Sequence, residues 1–227
     1  MINLYWPTYL SIEREFNQLL SFIHVDDEQL NVYSSKISEL ILRSVSEIES
    51  ISKELYYQYG GTKKGNIHFD YEALSYLDDL WNLSSKIILI TSLHSFQSVK
   101  VITPFNKDFN RAKGNTYSWN NAYQALKHYR AENLKLGTID NLFKAASALY
   151  LLNIYFKDQV FPLGSDCSGL NFPINLGSDI FSIKVHNGGN GEDFQKRKDF
   201  DECVYTTKAT GETLMELKDQ AKKLGSG

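Results

Sequence analysis

Asn31-Val-Tyr-Ser-Ser-Lys-Ile-Ser-Glu-Leu-Ile-Leu-Arg-Ser-Val-Ser-Glu-Ile-Glu-Ser-Ile-Ser-Lys-Glu-Leu55 places Ile37, Leu40, Ile41, Val45, Ile48, Ile51 and Leu55 at three- and four-residue steps. That spacing lays one apolar stripe along one face of a long helix. Ser34 or Ser35 suits the N-cap, where a hydroxyl accepts from an otherwise unpaired backbone N–H, and Gly60-Gly61 supplies the stop. Glu49 and Lys53 stand four apart in the favourable order. A helix this long and apolar on one side must bury that face against other elements, and with the further helices read along the chain it belongs to a mainly-α, helical core.

Working outward, Ile12–Ile23 reads as an N-terminal helix with Phe16, Leu19, Leu20 and Ile23, followed by an acidic break over Val25–Gln29. Tyr71–Trp81 reads as a shorter helix. Lys86–Ile90 and Ser98–Thr103 are β-rich and suit a small hairpin, whereas Phe105–Tyr117, with its Asn, Lys, Arg and Gly, reads as a loop. A helix then starts at Ser118 or Asn120 and runs to about Ala131. Gly137-Thr138 makes a turn with Thr138 as N-cap of a long apolar helix, Ile139–Tyr155. After Phe161-Pro162 the composition turns to Gly, Ser, Asn and Asp. A strand is expected over Ile180–Val185, a polar glycine-rich loop over His186–Glu202, and a last helix over about Glu212–Leu224. The expected organisation is a helical bundle with a small β excursion over residues 1–160, and an α+β C-terminal extension over 161–227 packed on the bundle.

The 227 residues are 42% hydrophobic and 22% charged, enough to bury a real core without any excess that would force disorder. Four prolines leave room for long uninterrupted helices. Cys167 and Cys203 match no metal-binding spacing and read as free thiols of a reducing compartment. Met1–Thr8 lacks the charged leader and apolar run of a signal peptide, and Ala145–Tyr155 is too short to cross a bilayer. The expectation is a soluble, cytoplasmic protein with no membrane association. The formal net charge of −3 argues against bulk affinity for nucleic acid, but its distribution is uneven. Residues 1–81 carry 13 acidic against 6 basic side chains, while residues 98–136 carry 7 basic against 2 acidic. A basic segment of that kind can track phosphates or can simply be solvated.

Trp119-Asn-Asn-Ala-Tyr-Gln-Ala-Leu-Lys-His-Tyr-Arg130 concentrates the chemistry-bearing residues. In a functional reading His128 moves a proton at a ribose hydroxyl or leaving oxygen, while Arg130 and Lys127 stabilise phosphate charge. On a straight helix, residues 128 and 130 lie about 200° apart, His128 over Gln124 and Arg130 over Lys127, Leu126 and Tyr123. They converge only if the helix ends near His128 or a second subunit completes the site. In the structural reading His128 bonds a buried carboxylate or carbonyl, and Arg130 pairs with Glu47 or Glu49 of the long helix. Glu47 falls beside the apolar stripe and calls for a cation. Trp119 and Tyr123 can stack a base, though aromatics four apart on such a helix usually belong to the core.

Elsewhere, Gly188-Gly189-Asn190-Gly191 lacks the Gly-Lys-Ser/Thr of a phosphate loop, and Gly164-Ser165-Asp166-Cys167-Ser168-Gly169 is not Gly-x-Ser-x-Gly. His24, His68, His94 and His186 show no ligand spacing, so neither a metal nor a cofactor is expected.

Asn31–Lys53 resembles the long first core helix of a group of bacterial HEPN-like proteins. Ala122-Tyr-Gln-Ala-Leu-Lys-His-Tyr-Arg130 resembles that group's Ala-Tyr-Asn-x-x-Lys-His-x-Arg element, and Leu134–Leu152, with Ala145-Ala-Ser-Ala-Leu149, its alanine-rich closing helix. The resemblance covers roughly residues 10–157. It implies a HEPN-like bundle, paired as a homodimer with the element at a shared cleft, and an RNA-directed role. Within that role stands metal-independent ribonuclease activity in phage defence or a toxin system, alongside a defence-system partner protein. It places catalysis at His128, Arg130 and Lys127, supported by Glu47, Gln124 and Tyr123. Two departures stand out: no arginine lies four to six residues before His128, and Gln124 replaces the group's asparagine. The alternative implied is a non-catalytic interaction or dimerisation module whose Lys-His-x-Arg cluster is structural.

Overall fold

The computed structural model describes residues 4–96, 100–110, 114–157, 173–174 and 177–184. Helix α2 (Ser35–Gln58) is the organising element. All seven residues of its apolar stripe are buried, and it packs most heavily on α5 (Ile139–Lys157) while also meeting α1 (Tyr5–Phe22), α3 (Leu74–Trp81) and α4 (Ser118–Asn133). Its ends form as the sequence predicts. Ser34 Oγ accepts from Ile37 N at 3.1 Å, and past the last turn Gly60 takes a φ of 97°, open to glycine but strained for other residues.

Helix α5 is apolar nearly all the way round, and it sits at the centre for that reason: a helix with no polar face has nowhere to meet water. Leu142, Phe143, Leu149, Tyr150, Leu151 and Leu152 are buried on different sides of it, while Ala145, Ala146 and Ala148 keep its side chains short. Thr138 caps it, Oγ1 accepting from Asn141 N at 3.2 Å. Gly137 just before the cap lies hard against α2. A Cβ there would overlap Ser38 Oγ and approach Leu134 O to 3.1 Å, so the turn requires the missing side chain.

Helix α1 runs from Tyr5, further back than the apolar spacing indicated, because Tyr5, Trp6 and Tyr9 also pack inward. Trp6 stacks on Tyr9 at 5.0 Å, and Phe16 meets Phe143 edge-on at 4.8 Å. The helix expected over Tyr71–Trp81 begins as a wide π-helical turn, Phe69–Ala73, and continues as α3.

The expected hairpin is present. Strand β1 (Ile88–Ile90) pairs antiparallel with β2 (Lys100–Ile102) in the register Leu89 to Val101. Two findings differ from or extend the sequence reading. Within the stretch read as a loop, β3 (Asp108–Asn110) and β4 (Gly114–Thr116) form a second antiparallel pair. Polar, low-propensity residues such as Asp108, Asn110 and Asn115 hide it from a propensity argument. From the C-terminal region, β6 (Phe181–Lys184) pairs with the free edge of β1, and β5 (Pro173–Ile174) pairs with β6, giving the order β2-β1-β6-β5. The described part of the extension therefore completes a sheet begun almost a hundred residues earlier.

A buried carboxylate fastens that strand. Glu13, 4% exposed on α1, accepts from Tyr9 Oη at 2.6 Å, from Ser178 Oγ, and from Ile180 N at 3.3 Å. Ser178 Oγ in turn accepts from Phe181 N at 2.9 Å. The expected helix Glu212–Leu224, the loop His186–Glu202, the Gly164–Gly169 turn, Cys167 and Cys203 lie outside the described residues.

Candidate functional site

Helix α4 starts against the core and leaves it. Trp119 is buried with its indole N–H donating to Pro104 O at 2.8 Å, and its ring stacks on Tyr117 at 5.0 Å. Tyr123 is buried too, so neither Trp119 nor Tyr123 offers a free face to a base. Both are core residues, with Lys127 Nζ lying 5.3 Å from the Tyr123 ring centroid. Beyond Leu126 the helix emerges, and Lys127, His128, Tyr129 and Arg130 are all exposed.

Between the two key residues the helix breaks. Tyr129 has φ −141° and ψ 54°, well outside helical values, and its carbonyl accepts instead from Asn133 Nδ2 at 2.9 Å. Neither proline nor glycine marks this point; the Asn133 side-chain amide, one turn on, bonds the Tyr129 carbonyl at the kink. With the helix broken between them, the roughly 200° separation that a straight helix imposes on His128 and Arg130 no longer applies as such.

The ion pairs expected to tie this cluster into the bundle are formed by other partners. Glu49 pairs with Lys53 at 2.6 Å. Glu47 is half-buried; burial holds its carboxyl above the usual range, and Arg43, one turn back on α2, opposes that rise. The cation beside Glu47 is thus Arg43 and not Arg130. Among the described residues, the Arg130 side chain enters no hydrogen bond or ion pair, and the His128 ring makes only a tilted contact with Tyr129 at 6.5 Å. Arg43 itself also bonds Glu15, whose carboxyl Arg43 and Lys36 hold below its usual range. Among the described residues, no three His, Cys, Asp or Glu side chains group closely enough to hold a metal ion. No helix of the described residues is long and apolar enough to cross a membrane.

One turn before His128, Gln124 lines a cleft of about 320 Å³ between α4, the β3–β4 pair and the π-helical turn. Asn120, Gln124 and His128 follow at four-residue steps, with Asn121 beside them, so one face of α4 carries three amides and an imidazole. Asp70 and Tyr71 from the π-turn, and Lys107, Asn115 and Thr116 from the hairpin, form the opposite walls. Asn120 Nδ2 donates to Asp70 Oδ2 at 3.0 Å, and Asn121 Nδ2 donates to Thr116 Oγ1 at 2.7 Å. Lys107 Nζ lies 5.2 Å from the Tyr117 ring centroid. Burial, with Asp78 and Asp70 nearby, holds the Tyr117 hydroxyl well above the usual phenol range. Sequence reasoning identified Gln124 alone of these. The available signal was the amide run Asn120-Asn121-x-x-Gln124 at helical spacing ahead of His128.

Compared with known proteins, the chain matches no protein family, no curated protein and no solved structure. The class that fold and site define is a mainly helical bundle with a small antiparallel sheet and a polar cleft leading to an exposed His-x-Arg break.

Proposed function

We propose that the chain is a HEPN-like, RNA-directed protein whose α4 surface engages single-stranded RNA, with His128 and Arg130 at the phosphate. The carrying observation is the break at Tyr129: on either side of it an imidazole and a guanidinium stand exposed, two residues apart, and among the described residues no carboxylate pairs with either. A structural role would consume those groups in the bundle, as the pairs Glu49–Lys53 and Glu15–Arg43 do. In the catalytic form of the reading, His128 removes the proton from a ribose 2′-hydroxyl, whose oxygen attacks the adjacent phosphorus and expels the 5′-oxygen. Arg130 and Lys127 balance the charge that builds on the phosphoryl oxygens. A homodimer, a defence-system partner and a phage-defence or toxin setting belong to the same proposal and rest on the HEPN resemblance.

One observation favours the non-catalytic alternative of a binding or dimerisation module. No described side chain bonds a ring nitrogen of His128, whereas a catalytic histidine is usually oriented by a partner. The two forms separate in one experiment. Labelled total RNA is incubated in EDTA with the protein and with His128→Ala, while anisotropy reports binding of a labelled single strand. Cleavage lost in the variant, with helicity unchanged, supports the ribonuclease. Binding without cleavage supports the module, with Arg130→Ala lowering the salt slope by about one counterion. Absence of both binding and cleavage refutes an RNA-directed role.

A further inference from the structure

We propose that the cleft beside α4 holds one nucleobase bearing an exocyclic amine (adenine, cytosine or guanine) and discriminates against uracil. This rests on the RNA-directed reading and names what the same surface would select.

The argument starts from an imbalance of acceptors. Asn120 is 6% exposed and lines the cleft, and its Oδ1 has no hydrogen-bond partner. The amide cannot be turned to cure this, because Nδ2 must face the Asp70 carboxylate, which only accepts. The other buried oxygens left unpaired among the described residues, on Ser44, Asn141, Asn153 and Ser182, do not line the cleft. Asp70 is only half-buried. Its Oδ2 accepts from Asn120 and its Oδ1 from Tyr71 N at 3.1 Å, leaving a second lone pair on each oxygen. A ligand for this place must bring hydrogen-bond donors.

Shape and surroundings narrow the donor. A volume of about 320 Å³ sits at the small end of ligand clefts and suits one nucleoside rather than a longer segment. Tyr71 is 58% exposed and backed by His68, the two rings stacked at 4.6 Å, which presents a flat aromatic face at the mouth. Such a face takes the plane of a base extruded from a single strand. An exocyclic amine carries two hydrogens and can serve Asp70 with one and, once the buried Asn120 amide is drawn toward the cleft, Asn120 Oδ1 with the other. Uracil offers one ring N–H flanked by two carbonyl oxygens, which would meet the carboxylate acceptor to acceptor. Gln124, which makes no hydrogen bond to another described residue, remains to read a neighbouring edge. His128 follows one turn later along the same face, where the adjoining phosphate would lie.

The test measures anisotropy with short labelled oligo(A), oligo(C) and oligo(U) RNA at one fixed salt concentration. The expected result is binding to oligo(A) or oligo(C) roughly tenfold or more tighter than to oligo(U). In Asp70→Asn the new carbonyl keeps the bond from Asn120, while the NH2 replaces the oxygen that accepted from Tyr71 N, gives up that bond and presents a donor to the cleft, so the preference should vanish or reverse toward oligo(U). Gln124→Ala, at a side chain that bonds no other described residue, should shrink the preference and covers the case that Asp70→Asn misfolds. His128→Ala should weaken all three oligomers alike and keep their ratio. Equal affinity for the three, or a preference that survives both cleft variants, overturns the inference while leaving the RNA-directed reading standing. No RNA binding overturns that reading, and AMP, CMP and UMP are then titrated alone by tryptophan fluorescence. Selective binding of AMP or CMP, lost in Asp70→Asn, supports the cleft as a site for free nucleotides; no binding overturns it.

Discussion

Replacing Glu13 with Ala should be among the most destabilising single changes in the bundle, and the reason is its dependence on a residue 165 positions away. The carboxylate is 4% exposed and takes hydrogens from Tyr9 Oη, Ser178 Oγ and Ile180 N. Hydrogen bonds to a charged group contribute about 1.5–3 kcal/mol each. The bonds from the two hydroxyls therefore set the scale at about 3–6 kcal/mol, with the long bond from Ile180 N a minor addition. Tyr9 Oη and Ser178 Oγ already lie 3.0 Å apart and can bond each other in the variant, recovering about 1 kcal/mol. The net loss is about 2–5 kcal/mol, and at about 2–4 °C per kcal/mol for a chain of this size the melting temperature should fall by roughly 4–20 °C. Ser178→Ala alone should cost about 2 kcal/mol, since it also strips an acceptor from Phe181 N. The decisive measurement is the double-mutant cycle by urea denaturation, followed by circular dichroism. A coupling of about 1.5 kcal/mol or more is expected. Losses that add within about 0.5 kcal/mol would refute the claim that the carboxylate holds β6 in place.

Further outcomes follow from the same geometry. Gly137→Ala should cost about 1–3 kcal/mol in urea unfolding by overpacking against Ser38, and Ser38→Gly should recover part of the loss. Glu47→Gln should raise the urea midpoint near neutral pH and leave it unchanged at low pH. Burial raises the folded-state pKa of Glu47 above its unfolded value, so the folded form favours the proton. Stability is then lost as pH rises from the unfolded value through the raised folded one, and glutamine avoids that loss. Glu15 acts in the opposite sense. Arg43 and Lys36 depress its pKa, so its contribution is present above the unfolded value and fades as pH falls through the folded one; Glu15→Gln should flatten that acid limb in a pH series of thermal melts. Lys53→Ala should change the urea-unfolding free energy by no more than about 0.5 kcal/mol, because its i,i+4 pair with Glu49 is largely solvated.

The helical framework was legible because periodic apolar residues and terminal signals coincide. The α2 stripe, its Ser34 cap, the Gly60 stop and the Thr138 cap all lie within short windows and all formed. What escaped is non-local or chemically quiet. Glu13 resembles any acid on an amphipathic helix until Ser178 arrives to bond it. Asp70 and Asn120 meet across 50 residues, and neither belongs to a spaced motif. Tyr129 is no helix breaker by propensity, so the break between His128 and Arg130 left no mark beyond a downstream Asn133. The β3–β4 pair uses Asp, Asn, Gly and Thr, which read as turn formers before they read as strands.

The position of β1 between β2 and β6 bears on how the chain matures as it is made. When α5 has emerged from a ribosome, helices α1 to α5 can assemble, yet one edge of β1 is still bare and Glu13 has no Ser178 to receive. At roughly 5–20 residues per second, the part of the chain that closes both gaps follows within roughly one to six seconds. During that interval the nascent bundle carries an unpaired strand edge and an under-bonded buried charge, the two features most inviting to a chaperone or to another nascent copy. Fragments ending near residue 160 would hold that exposed state permanently, and for expression strand β6 belongs with the helices it seals.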